Sequence, residues 1–133
     1  MLAALEAIGA DISFGTYVTI ADAITGDFTP EAVTANGYKY LDISADELFE
    51  YYDGVKRIAG TIAYIEPKYN ERMYASRGYV TVTLNGVTNT YYAVWSADNN
   101  RSIKTVAEMA LDDTTASYTE SQIATLKILA GRN

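Results

Sequence analysis

No histidine and no cysteine occur among the 133 residues of this chain. The first absence removes the commonest general base and the commonest metal ligand. The second removes thiolate nucleophiles, cysteine zinc sites and any disulfide framework. A cysteine-free composition suits the cytosol and the exterior of Gram-positive cells alike, so it leaves the compartment open. Lys and Arg number 10 against 17 Asp and Glu, a formal net charge of −7. No Lys/Arg cluster supplies the basic stripe that a phosphate backbone needs, so nucleic acid is not an expected partner. An acidic balance of this kind serves solubility first. There is no glycine-rich phosphate loop. No run approaches the ~20 apolar residues of a membrane span, so membrane insertion is not expected. Met1–Ala10 lacks a basic n-region and a long apolar stretch, and does not read as a signal peptide.

What is present is a globular composition, 49% hydrophobic and 20% charged. The length suits a single domain over 1–133 that can bury a core without staples. Leu2, Leu5 and Ile8 share a helical face before Gly9, which predicts a short helix over Met1–Ile8. Ile12, Phe14, Val18 and Ile20 alternate with Ser13, Gly15, Tyr17 and Thr19, the period of a half-buried strand. Ala21–Asn36 has no sustained period and reads as a loop. Tyr38–Ile43 reads as a second strand. Ser44 with Glu47 resembles a capping box, which predicts a helix over Ala45–Tyr52, turned at Asp53-Gly54. Arg57–Ile65 is β-branched and reads as a central strand. Near the C-terminus, Ile103, Val106, Ala107, Ala110 and Leu111 follow a helical period after Asn100 or Ser102 as cap. Burial of that face is the expected main local stabiliser. Thr119 with Gln122 opens a last helix through Ile123, Leu126 and Ala130, and Gly131 ends it.

Between strand and helix lies the strongest local signal, Asn85-Gly86, which accepts the two positive-φ positions of a type I′ turn. It predicts a β-hairpin over 73–96 with Leu84 opposite Val87, Val82 opposite Asn89, Val80 opposite Tyr91 and Ser76 opposite Trp95. This mostly apolar side is expected to meet the core. The other side, with Arg77, Tyr79, Thr81 and Thr83 facing Val94, Tyr92, Thr90 and Thr88, is expected to tolerate solvent. The fold class that follows is α+β: an antiparallel sheet containing this hairpin, a short N-terminal helix, and two C-terminal helices packed on the sheet.

Twelve tyrosines and one tryptophan stand out. Phenol rings suit half-buried strands, and they also stack on flat ligands such as sugar rings. Tyr79, Tyr92, Arg77 and Trp95 are the candidate ligand-binding residues on these grounds. Cross-strand pairing is the plain structural reading of the same positions. Asp22 with Asp27, and Asp98-Asn99-Asn100, are oxygen-rich but lack EF-hand spacing and read as turns or caps, so no metal site is assigned. Asp112-Asp113 sits where a helix dipole disfavours negative charge and reads as the start of a turn. Ser102 and Lys104 are two apart on a helix and point away from each other. No carboxylate pair is set in an evident cleft. No catalytic residue and no cofactor is assigned.

Several stretches taken in order resemble a recurrent accessory domain of large secreted and cell-surface proteins of Gram-positive bacteria. They are Phe14-Gly15-Thr16-Tyr17-Val18 with Ala21-Asp22, Gly60-Thr61-Ile62-Ala63-Tyr64-Ile65, and Tyr69-Asn70-Glu71-Arg72 leading to Ala75-Ser76-Arg77-Gly78-Tyr79-Val80. Arg101-Ser102-Ile103 with Val106-Ala107 completes the set. The resemblance implies a non-catalytic module of a larger secreted protein, extracellular or at the cell surface, with a carbohydrate or protein partner. It also implies a first strand ahead of the initial helix that is missing here, so that either the chain is an excised fragment or its sheet has an open edge. An unpaired edge invites another strand, from a partner or from a second copy as a homo-oligomer. The alternative is a structural or self-assembling module with no small-molecule ligand.

Overall fold

The computed structural model describes residues 2–45, 49–50, 56–57 and 65–132. Helix α1 (Leu2–Ala7) ends at Gly9, whose φ of +80° only glycine adopts freely. Strand β1 (Asp11–Ile20) follows and pairs antiparallel with both β2 (Leu41–Ala45) and β5 (Tyr74–Leu84). Strand β6 (Val87–Tyr92) completes a four-stranded antiparallel sheet in the order β2-β1-β5-β6. Asn85 and Gly86 take φ of 53° and 78°, and the pairing runs Leu84 to Val87, Val82 to Asn89, Val80 to Tyr91 and Tyr79 to Tyr92. The two-residue loop thus sets the hairpin register. The ladder stops at Tyr92, so Trp95 is outside it.

Both sides of the hairpin are covered in part, where one inward side was expected. Val80, Val82 and Leu84 are half-buried, and Val18, on their side of β1, is buried. Tyr79 on the other side is also only 7% exposed, whereas Val87 and Tyr91, expected toward the core, are each 61% exposed. The reason lies in the segment read as a loop. It forms a 3-10 turn at Ala21–Ala23 and then helix α2 (Pro30–Ala35), with Pro30 at its start and the Thr29 hydroxyl accepting from Ala32 N–H. This excursion buries Phe28 and Val33 with Ala23 against Ala75, on the Tyr79 side of β5. Tyr17, Ile20, Ile24 and Trp95 pack around that cluster. Thr19 Oγ1 donates to the Lys39 carbonyl at 2.8 Å and ties the returning chain to β1.

A second difference concerns the predicted helix over Ala45–Tyr52. Ser44 and Ala45 belong to β2, opposite Gly15 and Phe14, and β3 (Phe49–Glu50) pairs with β4 (Lys56–Arg57) in a two-stranded sheet. Extended pairing overrides the capping pattern at these positions. The rest of that prediction and the turn at Asp53-Gly54 lie outside the described residues. So does most of the strand read over Arg57–Ile65, of which Arg57 is in β4. Among the described residues the central strands of the larger sheet are β1 and β5.

At the C-terminal end, Tyr74 and Arg101 exchange backbone hydrogen bonds and lead into helix α3 (Ile103–Asp112). The Ser102 hydroxyl caps it by accepting from Thr105 N–H at 3.0 Å. Helix α4 (Glu120–Leu129) carries the full Thr119–Gln122 capping box and ends at Gly131. The Asp112-Asp113 pair divides its work. Asp112 meets Arg132 at 3.2 Å, and Asp113 accepts from the Thr115 backbone and hydroxyl, which holds its carboxyl below the usual carboxylate range. On α3 the buried position is Ala107, while Val106 is 53% exposed and is no main stabiliser.

Candidate functional site

The Tyr79 side of the sheet gathers an aromatic and polar cluster ahead of the Phe28 core. Tyr17 stands on β1 directly opposite Arg77, and Gly15 directly opposite Tyr79. The missing side chain at Gly15 makes room for the Tyr79 ring, which lies over it and stacks on Tyr17 with centroids 4.3 Å apart and planes at 17°. The Tyr79 hydroxyl donates to Asp42 Oδ1 on β2 at 2.5 Å. Tyr40 meets the Tyr17 ring edge-on at 5.4 Å, and Tyr92 lies tilted at 6.2 Å on the other flank. Thr81 and Ser13 share a hydroxyl hydrogen bond farther along, and Thr83 bonds Thr88 at 2.8 Å.

Arg77 closes the side nearest the core. One guanidinium nitrogen donates to Asp27 Oδ1 at 2.9 Å and to the Phe28 carbonyl at 2.7 Å, while Nε donates to the Ala93 carbonyl at 2.6 Å. Its charge also lies 4.9 Å from the Tyr92 ring centre, within cation–π range. Arg77 is therefore held by four partners and ties the α2 excursion to the hairpin. Burial pushes the phenols of Tyr17, Tyr79 and Tyr92 above their ordinary range. The Asp42 hydrogen bond adds to this at Tyr79, the Asp42 charge at Tyr17, and Glu31 at Tyr92. At neutral pH the rings are uncharged, offering faces and hydroxyls rather than a nucleophile.

The structure brings three of the four expected residues together and puts each to a different use. Tyr79 is sealed beneath its neighbours, Arg77 is engaged by Asp27 and backbone carbonyls, and Tyr92 remains half-buried at the rim. Trp95 sits apart, edge-on to Phe28 at 5.8 Å, and its Nε1 finds no acceptor among the described residues. Tyr17, Tyr40 and Asp42 join the cluster without having been singled out in sequence. The period-two pattern put Tyr17 on the polar side of β1, but its meeting with Tyr79 depends on a strand pairing some sixty residues away in sequence.

A concavity of about 270 Å³ lies between α3, α4 and Tyr74, lined in part by Ile103, Val106, Leu126 and Leu129. The Ser102 hydroxyl at its edge is already spent on capping α3. Among the described residues no group of three or more Asp and Glu could hold a metal ion, and no helix is long and apolar enough to cross a membrane. Compared with known proteins, the chain matches no family model, no curated protein and no solved structure.

Proposed function

We propose that this chain is a non-catalytic binding module, extracellular or at the cell surface within a larger secreted protein, that attaches to a surface glycan or a protein. The observation that carries the reading is the tyrosine rim. Tyr40 and Tyr92 flank Tyr17 on one side of the sheet, with the carboxylates of Asp27 and Glu31 nearby. Neutral phenols on a rigid sheet present flat apolar faces and hydroxyls at low entropic penalty, the chemistry that a pyranose ring or a peptide surface matches. The extracellular placement is supported by the resemblance of the sequence stretches quoted above. The charge of −7 argues against a nucleic-acid partner.

A glycan array followed by calorimetry on any hit is the test. Tyr40→Ala and Tyr92→Ala each remove one rim ring while leaving Tyr79 and Gly15 untouched. Each is expected to weaken binding by roughly threefold to tenfold, the range for one aromatic contact. Binding that survives the double variant unchanged would remove the rim from the account.

A further inference from the structure

Among the described residues, the last strand of the sheet has a side that no other strand pairs, and its chemistry is unusually complete. The Ala93 N–H donates to the Gly78 carbonyl at 2.8 Å. Hydrogen-bonded and non-bonded pairs alternate along an antiparallel ladder. Asn89 and Tyr91, opposite Val82 and Val80, therefore also turn their amide groups toward β5. Thr88, Thr90 and Tyr92 turn theirs outward, where β6 is the terminal strand and no described residue pairs with it. Natural sheets protect such edges with lysine, proline or a bulge. Here the register runs unbroken, and Gly78–Ala97 contains no charged residue and no proline.

We propose that β6 pairs with β6 of a second copy of this chain, antiparallel about a two-fold axis at Thr90. Thr90 then lies opposite Thr90, Thr88 opposite Tyr92, and Asn89 opposite Tyr91, so every outward amide and carbonyl of Thr88, Thr90 and Tyr92 finds a partner. Centring the axis on Asn89 or Tyr91 leaves Tyr92 or Thr88 unmatched. A shift by one residue sets opposite faces against each other. A second copy is favoured over a foreign strand because this edge offers no charge by which another partner would be selected. Two molecules of net charge −7 can meet along it without opposing like charges. The exposed Val87 and Tyr91 on one side of the edge gain neighbours in the joined sheet. The pairing uses the backbone of Tyr92 and leaves its ring in the rim, so it stands apart from the ligand reading.

Sedimentation equilibrium on the full chain tests it, with circular dichroism as the check on folding. Wild type is expected to show a concentration-dependent monomer–dimer equilibrium. Thr90→Lys and Thr90→Glu each place like charges face to face at the axis and are expected to weaken the dimer by roughly fivefold or more. An equimolar mixture of the two variants is expected to restore it, which a merely misfolded variant could not do. A wild type that stays monomeric at all concentrations overturns the proposal. So does a dimer indifferent to either variant, or one lost in both and not regained on mixing. Glycan binding by the Thr90 variants is read separately, since Tyr17, Tyr40 and Tyr92 remain in place.

Discussion

Gly15→Ala is expected to destabilise the fold by about 2–3 kcal/mol, a large effect for the addition of one methyl group. A Cβ at this position would stand 2.6 Å from the Ile43 carbonyl oxygen, 2.6 Å from the Tyr79 hydroxyl oxygen and 2.8 Å from its Cζ. Real Cβ atoms do not approach so closely, so something must move. Ile43 O belongs to the neighbouring strand and can retreat only by disturbing the β1–β2 pairing. The Tyr79 ring can retreat only by leaving Tyr17 and giving up its bond to Asp42. Backbone conformation plays no part, because Gly15 is in ordinary strand geometry. Urea denaturation followed by circular dichroism reads the loss as a lower midpoint at unchanged slope. In a Tyr79→Ala background the same change should cost less without becoming free, because the Ile43 contact persists. A Gly15→Ala protein within about 0.5 kcal/mol of wild type would mean that the ring does not lie over the glycine.

Phe28→Ala should cost more still, about 3–5 kcal/mol. Phe28 is 0% exposed and is the largest wholly buried side chain among the described residues. It joins the α2 excursion to Ala75 on β5 and to the Trp95 ring. Ala23 and Ala75 are too small to fill the space, and the larger neighbours Val33, Ile20, Ile24 and Trp95 belong to separate elements that would have to shift to do so. Domains of this size are stable by about 5–15 kcal/mol, so the loss is a large share of the whole. Phe28→Leu keeps most of the volume and should cost distinctly less. Thermal melting of both variants provides the measurement. Equal melting temperatures for Phe28→Ala and wild type would show that the excursion is not packed on the sheet.

Local signals were readable where local physics decides the outcome. Asn85-Gly86 determined the hairpin register through its own dihedral preference, and Thr119 with Gln122 marked the start of α4 through hydrogen bonds three residues apart. Ser102 did the same for α3. What could not be read locally was the cover on the Tyr79 side of the sheet. Period-two alternation separates Val80 and Val82 from Tyr79 and Thr81, but it does not say that both sets will be at least partly covered. The cover comes from 21–40, whose apolar content is concentrated in a few side chains such as Phe28 and Val33 and shows no period. Ser44 followed by Glu47 carried a valid helix signal that strand pairing with β1 overrode.

The candidate site shows the same division. Tyr79 and Tyr92 were placed opposite each other by the turn, and the structure keeps them so. Their roles then diverge, because Tyr79 lies in the middle of the sheet between Tyr17 and Asp42 while Tyr92 sits on the edge strand. Arg77 looked like a ligand contact and is occupied by Asp27, fifty residues earlier. Trp95 is drawn to Phe28 by the same excursion. Long-range closure, rather than residue type, decides which aromatic groups stay available to a partner.

The most direct test of this arrangement is tyrosine nitration under native conditions, mapped residue by residue by mass spectrometry. Among the tyrosines of the described residues, Tyr91, the most exposed, is expected to react first, with Tyr40 also accessible and Tyr79 protected until the protein unfolds. Modification of Tyr79 as fast as Tyr91 in the folded protein would contradict the inward placement of the tyrosine side, and the binding rim built upon it.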